Sequence, residues 1–233
     1  VKYAPNEYLD HIAEHVEPWT YLKFPYLKNV GWKGFVDGKD SGVYMATPLS
    51  RVNAADGMAT PLAQEHYEKM YDTLGGKPVH QRLATHWARL IELLYAAEHW
   101  VELATDPEIT SPDVHTVPTA IPTEGIGIVE APRGTLTHHY KTDERGILTD
   151  VNLVVGTTNN YAPISMSIKK AASSLIHKGT VVNEGLLNMV EMAFRSYDPC
   201  FGCATHSLPG QMPMEVTIRD AQGEKVEVLR QYC

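Results

Sequence analysis

Cysteine is scarce in this chain, with three residues in 233 positions, two of them clustered as Cys200 and Cys203. Three cysteines do not build a disulfide scaffold, and the count fits a reducing cytoplasm. No apolar run approaches the roughly 20 residues of a membrane-spanning helix, and no signal peptide opens the chain. Basic stripes are missing too. Lys and Arg number 20 against 28 Asp and Glu, a net charge of -8, which argues against a nucleic-acid or anionic-membrane partner. The pair Lys169-Lys170 reads as solvated surface. Neither an internal repeat nor a low-complexity tract occurs. The chain begins at Val1 rather than Met and enters at once on "YAPNEYLDHIAEHV", so a fragment or a processed chain is the expectation.

What is present is ordinary globular composition, 43% hydrophobic and 21% charged, in a length that buries a sizeable core as one large or two small domains. The first third is aromatic and irregular, with "GVYMATPLSRV" read as a short strand. A helix starts at Pro61 and stops at the Gly75-Gly76 cap. The longest helix is expected from about His80 to about Thr105, with Leu83, Trp87, Leu90, Ile91 and Leu94 as its apolar face. A Pro- and Thr-rich loop follows. The period then changes to that of strands: "GIGIVEAPRG", "TLTHHYKT" and "GILTDVNLVVG" form a β-meander with "DERG" as a hairpin turn. Helices are expected near Ile164–His177 and Glu184–Ser196. The tail carries two alternating runs around "AQGE", a hairpin. The fold class is α+β, helix-dominated.

The chemistry concentrates in "DPCFGCATH", Asp198 to His206. Two thiolates three positions apart reach one ion across a turn, and His206 falls near the same side. A structural zinc site using Cys200, Cys203 and His206 is the bland reading, but zinc takes four ligands and no second pair of matching spacing exists. A thiol–disulfide redox pair is a second reading, although such motifs open a helix near the start of a domain. The third reading makes the cysteines half of a larger metal centre.

Asp-Pro-Cys-x-x-Cys-x-x-His near a C-terminus resembles the signature of the nickel–iron hydrogenase large subunit. The likeness is strengthened by another motif: Glu130-Ala131-Pro132-Arg133-Gly134, followed by Leu136 and His138. "VVGTTNN" stands where better-known members carry Val-Val-Pro-Ser/Thr-Thr-Trp-Asn. The "ATH…GQMP" continuation, the Asn-Asn pair and the longer tail are similar to the cytoplasmic, cofactor-coupled branch, NAD-reducing or linked to heterodisulfide reductase.

The resemblance implies a nickel–iron centre whose iron carries cyanide and carbon monoxide, with soft thiolates holding electron-rich nickel. By position Cys200 matches the terminal nickel ligand and Cys203 the ligand bridging nickel and iron. The remaining thiolates come, in the family, from an Arg-x-Cys-Gly-x-Cys motif absent from this sequence, so no cofactor is expected in the isolated fragment. Arg133 matches the arginine over the metal pair, with a role in H2 heterolysis; Asp198 matches the carboxylate beside it, or serves as a turn residue. Pro132 and Thr157 match the lining of the cyanide pocket, and His206 the ligand of a magnesium or iron ion. His138 and His139 are assigned to supporting or packing roles.

The resemblance also implies an iron–sulfur small subunit, further electron-transfer subunits, nickel-insertion proteins and a maturation endopeptidase cutting after His206. Residues 1–206 are then the C-terminal portion of the large subunit, and 207–233 an extension removed on maturation. A non-catalytic, complex I-like relative that kept the fold without the metals is the rival reading. Such relatives lack the cysteine pairs.

Overall fold

The computed structural model describes residues 2–38, 40–201 and 214–231. Two compact units divide the chain, Val1–Pro199 and Cys200–Cys233. The expected boundary at His206 and Ser207 lies outside the described residues.

The first unit opens with a short helix α1 (Tyr8–His11) and an antiparallel pair, β1 (Ile12–Val16) and β2 (Lys23–Leu27). This hairpin replaces the irregular segment expected from the sequence. Aromatic packing explains it: Phe24 is fully buried, with Trp32 and Phe35 within 6.0 and 5.0 Å of its ring, and such pairs supply area that backbone irregularity does not oppose.

The strand expected in "GVYMATPLSRV" is also corrected. A helix, α2 (Pro48–Ala54), begins there, capped by Thr47, whose hydroxyl accepts from the Ser50 amide. Pro48 takes the first helical position, where its missing N–H costs nothing. Helices α3 (Pro61–Leu74) and α4 (Ala84–Thr105) follow. Gly75 ends α3 at φ 90°, a left-handed value that favours glycine.

The core sits where α2, α3 and α4 meet: Leu49, Val52, Met70, Val79, Ala88 and Ile91 are central to it. Trp87, Ile91 and Leu94 of the expected α4 face pack there, but Leu83 and Leu90 stay exposed, at 66% and 64%. Ala84 and Ala88 take the inner stripe instead. Small side chains let α4 approach its neighbours closely, and because α4 is apolar on more than one side, periodicity alone offers two faces.

The meander is as expected, an antiparallel sheet in the order β3 (Glu124–Ala131), β4 (Gly134–Thr142), β5 (Leu148–Val154). Its β4–β5 turn closes with the Gly146 amide donating to the Asp143 carbonyl at 3.0 Å. Helices α5 (Tyr161–Leu175) and α6 (Glu184–Arg195) complete the unit and pack on each other. The second unit holds a hairpin, β6 (Met214–Arg219) and β7 (Lys225–Gln231), pairing Val216 with Leu229. The Asp220 carboxylate accepts the Gln222 and Glu224 amides at its turn. The architecture is α+β with helices predominating. Among the described residues no helix is long and apolar enough to cross a membrane.

Candidate metal-facing site

Arg133 sits in the tight turn between β3 and β4, where Ala131 pairs with Gly134. Glycine is required at 134 because a Cβ there would lie 2.4 Å from the Ala46 carbonyl oxygen and 2.7 Å from that of Gly156. These are backbone atoms with no freedom to move aside, so the turn is wedged between two loops.

Two side chains clamp it. Arg51, from α2, donates through Nη1 to the carbonyls of Ala131 and Gly134, each at 2.7 Å. The other edge of its guanidinium meets Glu92 of α4 in a two-pronged pair, Nε to Oε1 at 2.8 Å and Nη2 to Oε2 at 2.5 Å. One planar fork thus reaches a carboxylate and both ends of the turn, a geometry lysine does not reproduce. From the opposite side Asn160, 1% exposed, donates through Nδ2 to the Arg133 and Ala46 carbonyls at 3.0 Å and accepts the Ala46 amide at Oδ1. Its neighbour Asn159 accepts the Tyr44 hydroxyl at 2.6 Å and donates to Thr135 O. The Asn-Asn pair therefore fastens the 44–47 loop to the Arg133 turn.

Arg133 and Asp198 come together as an ion pair, Nε to Oδ2 at 3.7 Å, and Arg89 of α4 approaches the same oxygen at 3.8 Å. Arg89 also donates from both Nη atoms to the Ser196 carbonyl at 3.2 Å. Burial lowers the pKa of Arg89, against the raising influence of Asp198 and then Glu92. Asp198 is held at φ 52°. Asp and Asn are the residues after glycine that adopt this left-handed conformation with least penalty, and its amide donates to the Arg195 carbonyl. The turn role and the carboxylate beside an arginine coexist in one residue. The Nη atoms of Arg133 make no hydrogen bond among the described residues, and its side chain is 41% exposed, so the fork is presented outward with its base pinned.

Pro132 is exposed and lines a cavity of about 560 Å³ together with Arg51, Arg89, Glu92, Met58 and Tyr95. Thr157 is buried and precedes a 3-10 turn, Thr158–Asn160; the residue before it, Gly156, backs onto Arg133, so that a Cβ at 156 would lie 3.4 Å from the Arg133 Cβ. His138 bonds Tyr140 within the sheet, through Nδ1 at 2.5 Å. In the second unit Cys200 is disulfide-bonded. Cys203 and His206 lie outside the described residues. Among the described residues no cluster of three His, Cys, Asp or Glu is placed to hold a metal.

Sequence reasoning missed Arg51, Arg89, Glu92 and Asn160. The available signal was Arg89 and Glu92 themselves, opposite charges three positions apart in the largely apolar first half of α4.

Positions 40–206 match the family model described as nickel-dependent hydrogenase. The chain is 53% identical over 231 residues to an iron-sulfur subunit of the F420-non-reducing hydrogenase of Archaeoglobus profundus, covering 99% of this chain and 47% of that protein. It is 42% identical to the beta subunit of the NAD-reducing hydrogenase HoxS of Cupriavidus necator, over 95% of this chain and 44% of the relative. A crystal structure of an NAD+-reducing NiFe hydrogenase in its H2-reduced state superposes with a TM-score of 0.78 at 37% identity, covering 88% of this chain and 43% of the other. The chain spans about half the length of the curated relatives it matches. By its motifs, its fold and this match, it belongs to the nickel-dependent hydrogenase family.

Proposed function

We propose that this chain is the portion of a nickel–iron hydrogenase large subunit that carries the second cysteine pair and the arginine facing the metals, and that it serves reversible oxidation of H2 to protons and electrons. The observation that carries the reading is the pinned Arg133. Its turn is fastened by Arg51 and Asn160, its Nε is paired with Asp198, and its free edge is exposed, in a chain where Cys200 follows Asp198 by two positions.

The donor set fits the implied group in kind. Thiolates suit electron-rich nickel, and Cys200 and Cys203 would supply two of them, with His206 toward a magnesium or iron ion. With three cysteines in the sequence the set is short of four thiolates, and on this proposal the remaining ones come from the other half of the large subunit. Because a disulfide sulfur does not ligate, Cys200 must first be reduced. When bound, the nickel–iron group would supply Lewis acidity toward H2 and a sink for its electrons. The chain's own contribution is positioning and proton handling. The Arg133 fork would present a cation, its turn held by the clamps, toward developing charge, while Asp198, itself approached by Arg89, pairs with its Nε edge. Pro132 and Thr157 line the pocket for the iron's diatomic ligands.

The partners consistent with this role are an iron–sulfur small subunit, further electron-transfer subunits, nickel-insertion proteins and an endopeptidase that releases 207–233, in the cytoplasm. Co-expression with the remaining half of the large subunit and the maturation proteins tests it. Nickel content, H2-dependent dye reduction and intact mass are read together. A loaded, active enzyme lacking a peptide that begins at Ser207 is expected, and Cys200→Ser should lose nickel and turnover together. Full nickel and turnover in that variant would remove Cys200 from the site, and an active enzyme retaining the tail would remove the cleavage step.

A further inference from the structure

A second polar constellation lies in the first unit, apart from the Arg133–Asp198 cluster. Tyr8 of α1 is 2% exposed and His139 of β4 is 5% exposed. The Tyr8 hydroxyl meets His139 Nδ1 at 2.9 Å, and His139 Nε2 meets Glu124 Oε1 at 2.7 Å. Asn152 donates to the Tyr8 oxygen at 3.0 Å. The Glu124 carboxyl is half exposed, and its pKa is lowered by the His139 hydrogen bond first and by Lys141, 3.6 Å away, second.

With His139 as a neutral imidazole, these contacts are compatible with one direction for every proton. Ionised Glu124 only accepts, so Nε2 of His139 carries its hydrogen. Nδ1 is then the acceptor and the Tyr8 hydroxyl its donor. With Asn152 occupying one lone pair, the Tyr8 oxygen has one more to offer. All donors point outward, from buried Tyr8 to exposed Glu124.

The inner end opens on space. A cavity of about 50 Å³ is lined by Tyr8, Tyr44, Thr135, Thr137 and Asn159 among others. That exceeds the roughly 10–15 Å³ a water needs, and polar walls keep such a cavity wet. Thr135 is two residues from Arg133, and its carbonyl is bonded to Asn159. The cavity therefore reaches the start of β4, which follows the Arg133 turn in the chain.

We propose that Tyr8, His139 and Glu124 form a proton relay linking this cavity to the surface, a role that rests on the hydrogenase reading for the source of its protons. In each transfer a cavity water that has received an excess proton passes it to the Tyr8 oxygen and is left neutral, as the hydroxyl's own proton passes to His139 Nδ1. The resulting imidazolium releases its Nε2 proton to Glu124, which yields it to solvent. The imidazole resets by swinging off its two partners, losing its Nδ1 proton to water and taking one from water at Nε2, and it then re-forms the bonds as the Tyr8 hydroxyl turns back. One proton leaves the cavity, and no electrons move.

The competing explanation is a clamp that merely fastens α1 to the sheet. Glu124→Gln separates the two, because the amide oxygen still accepts from Nε2 but takes up no proton. In the 233-residue chain, nitrogen-15 NMR should show His139 as the Nε2–H tautomer. Glu124→Gln should slow exchange of that proton with water by about tenfold or more while leaving Tm unchanged. In the assembled enzyme, Glu124→Gln and Tyr8→Phe should both lower H2 uptake by at least about tenfold and enlarge its D2O isotope effect. An Nδ1–H tautomer, or wild-type proton exchange and uptake in Glu124→Gln, overturns the relay. If the assembled wild type shows no hydrogenase activity, the functional reading fails on its own, and the exchange measurement still decides the relay.

Discussion

Replacing Arg51 by methionine tests the clamp on the Arg133 turn, and its size follows from the contacts. Methionine keeps a long apolar stem and removes the fork. Lost are the two bonds to the Ala131 and Gly134 carbonyls and the two-pronged pair with Glu92. The pair is well covered, with side chains 15% and 20% exposed. Hydrogen bonds from a charged donor contribute about 1.5–3 kcal/mol each, and removing one partner of a buried pair costs about 3–5 kcal/mol. These figures overlap, since both count the stranded carboxylate, so they are not summed. A loss of about 4 kcal/mol is expected, which at about 2–4 °C per kcal/mol for a unit of this size lowers Tm by about 8–16 °C. Adding Glu92→Leu removes the stranded charge and should restore about 1–3 kcal/mol, although the two carbonyls stay unsatisfied. Circular dichroism melts of the wild type, both single variants and the double variant give the coupling energy. A Tm for Arg51→Met within about 2 °C of wild type would show that water replaces the fork and that the clamp carries no strain-bearing role.

Two further substitutions probe neighbouring features. Asp198→Asn keeps a residue that tolerates φ 52° but loses its charge; because the carboxylate is 46% exposed, its ion pairs contribute only about 0–1 kcal/mol, so Tm should barely move while H2 uptake of the assembled enzyme falls. Asp198→Ala should cost about 1 kcal/mol more in denaturant melts, from the left-handed backbone alone, and equal stability of the two variants would refute that. Glu98 of α4 accepts the Thr60 hydroxyl at 2.6 Å and the Leu62 and Ala63 amides, capping α3, and its pKa is lowered from 4.5, the Thr60 bond contributing most. A depressed folded pKa means the stabilisation is fully present above pH 4.5 and is lost as pH falls through the folded value. Acid unfolding should therefore be less steep in Glu98→Gln, and an unchanged acid limb would exclude the cap as a titrating contributor.

The meander and the tail hairpin were legible because both signals were local: alternating apolar residues, and turns such as Asp143 to Gly146 whose side chain and glycine close on neighbours. The α3 stop was equally local. Where reading failed, a local signal was present but ambiguous. "GVYMATP" is β-branched and aromatic enough for a strand, yet Thr47-Pro48 is also a helix start, and the cap prevailed. On α4 the apolar pattern admitted two faces, and the choice between Leu83 with Leu90 and Ala84 with Ala88 is made by how near α2 and α3 approach, which no window along the helix contains.

The site divides along the same line. Arg133, Pro132, Asp198, Cys200 and Cys203 stand in short motifs, so a resemblance could nominate them, and Thr157 and His206 by position. What fixes Arg133 in space could not be nominated that way. Arg51 and Glu92 are 41 positions apart, Arg89 and Ser196 are 107 apart, and Ala46 and Asn160 are 114 apart. Each is a contact that exists only once the helical core and the sheet have met. A guanidinium in free solution samples many orientations; held by carbonyl bonds at both ends of its turn and by a shared carboxylate, this one has its backbone and Nε edge settled before any ligand arrives. Removing that preorganisation leaves the motif intact and the geometry loose, and a reacting group misplaced by about 1 Å loses on the order of a hundredfold in rate. The residues proposed to carry the chemistry are therefore readable as a string, whereas the residues that would hold that string in place are readable only as a fold.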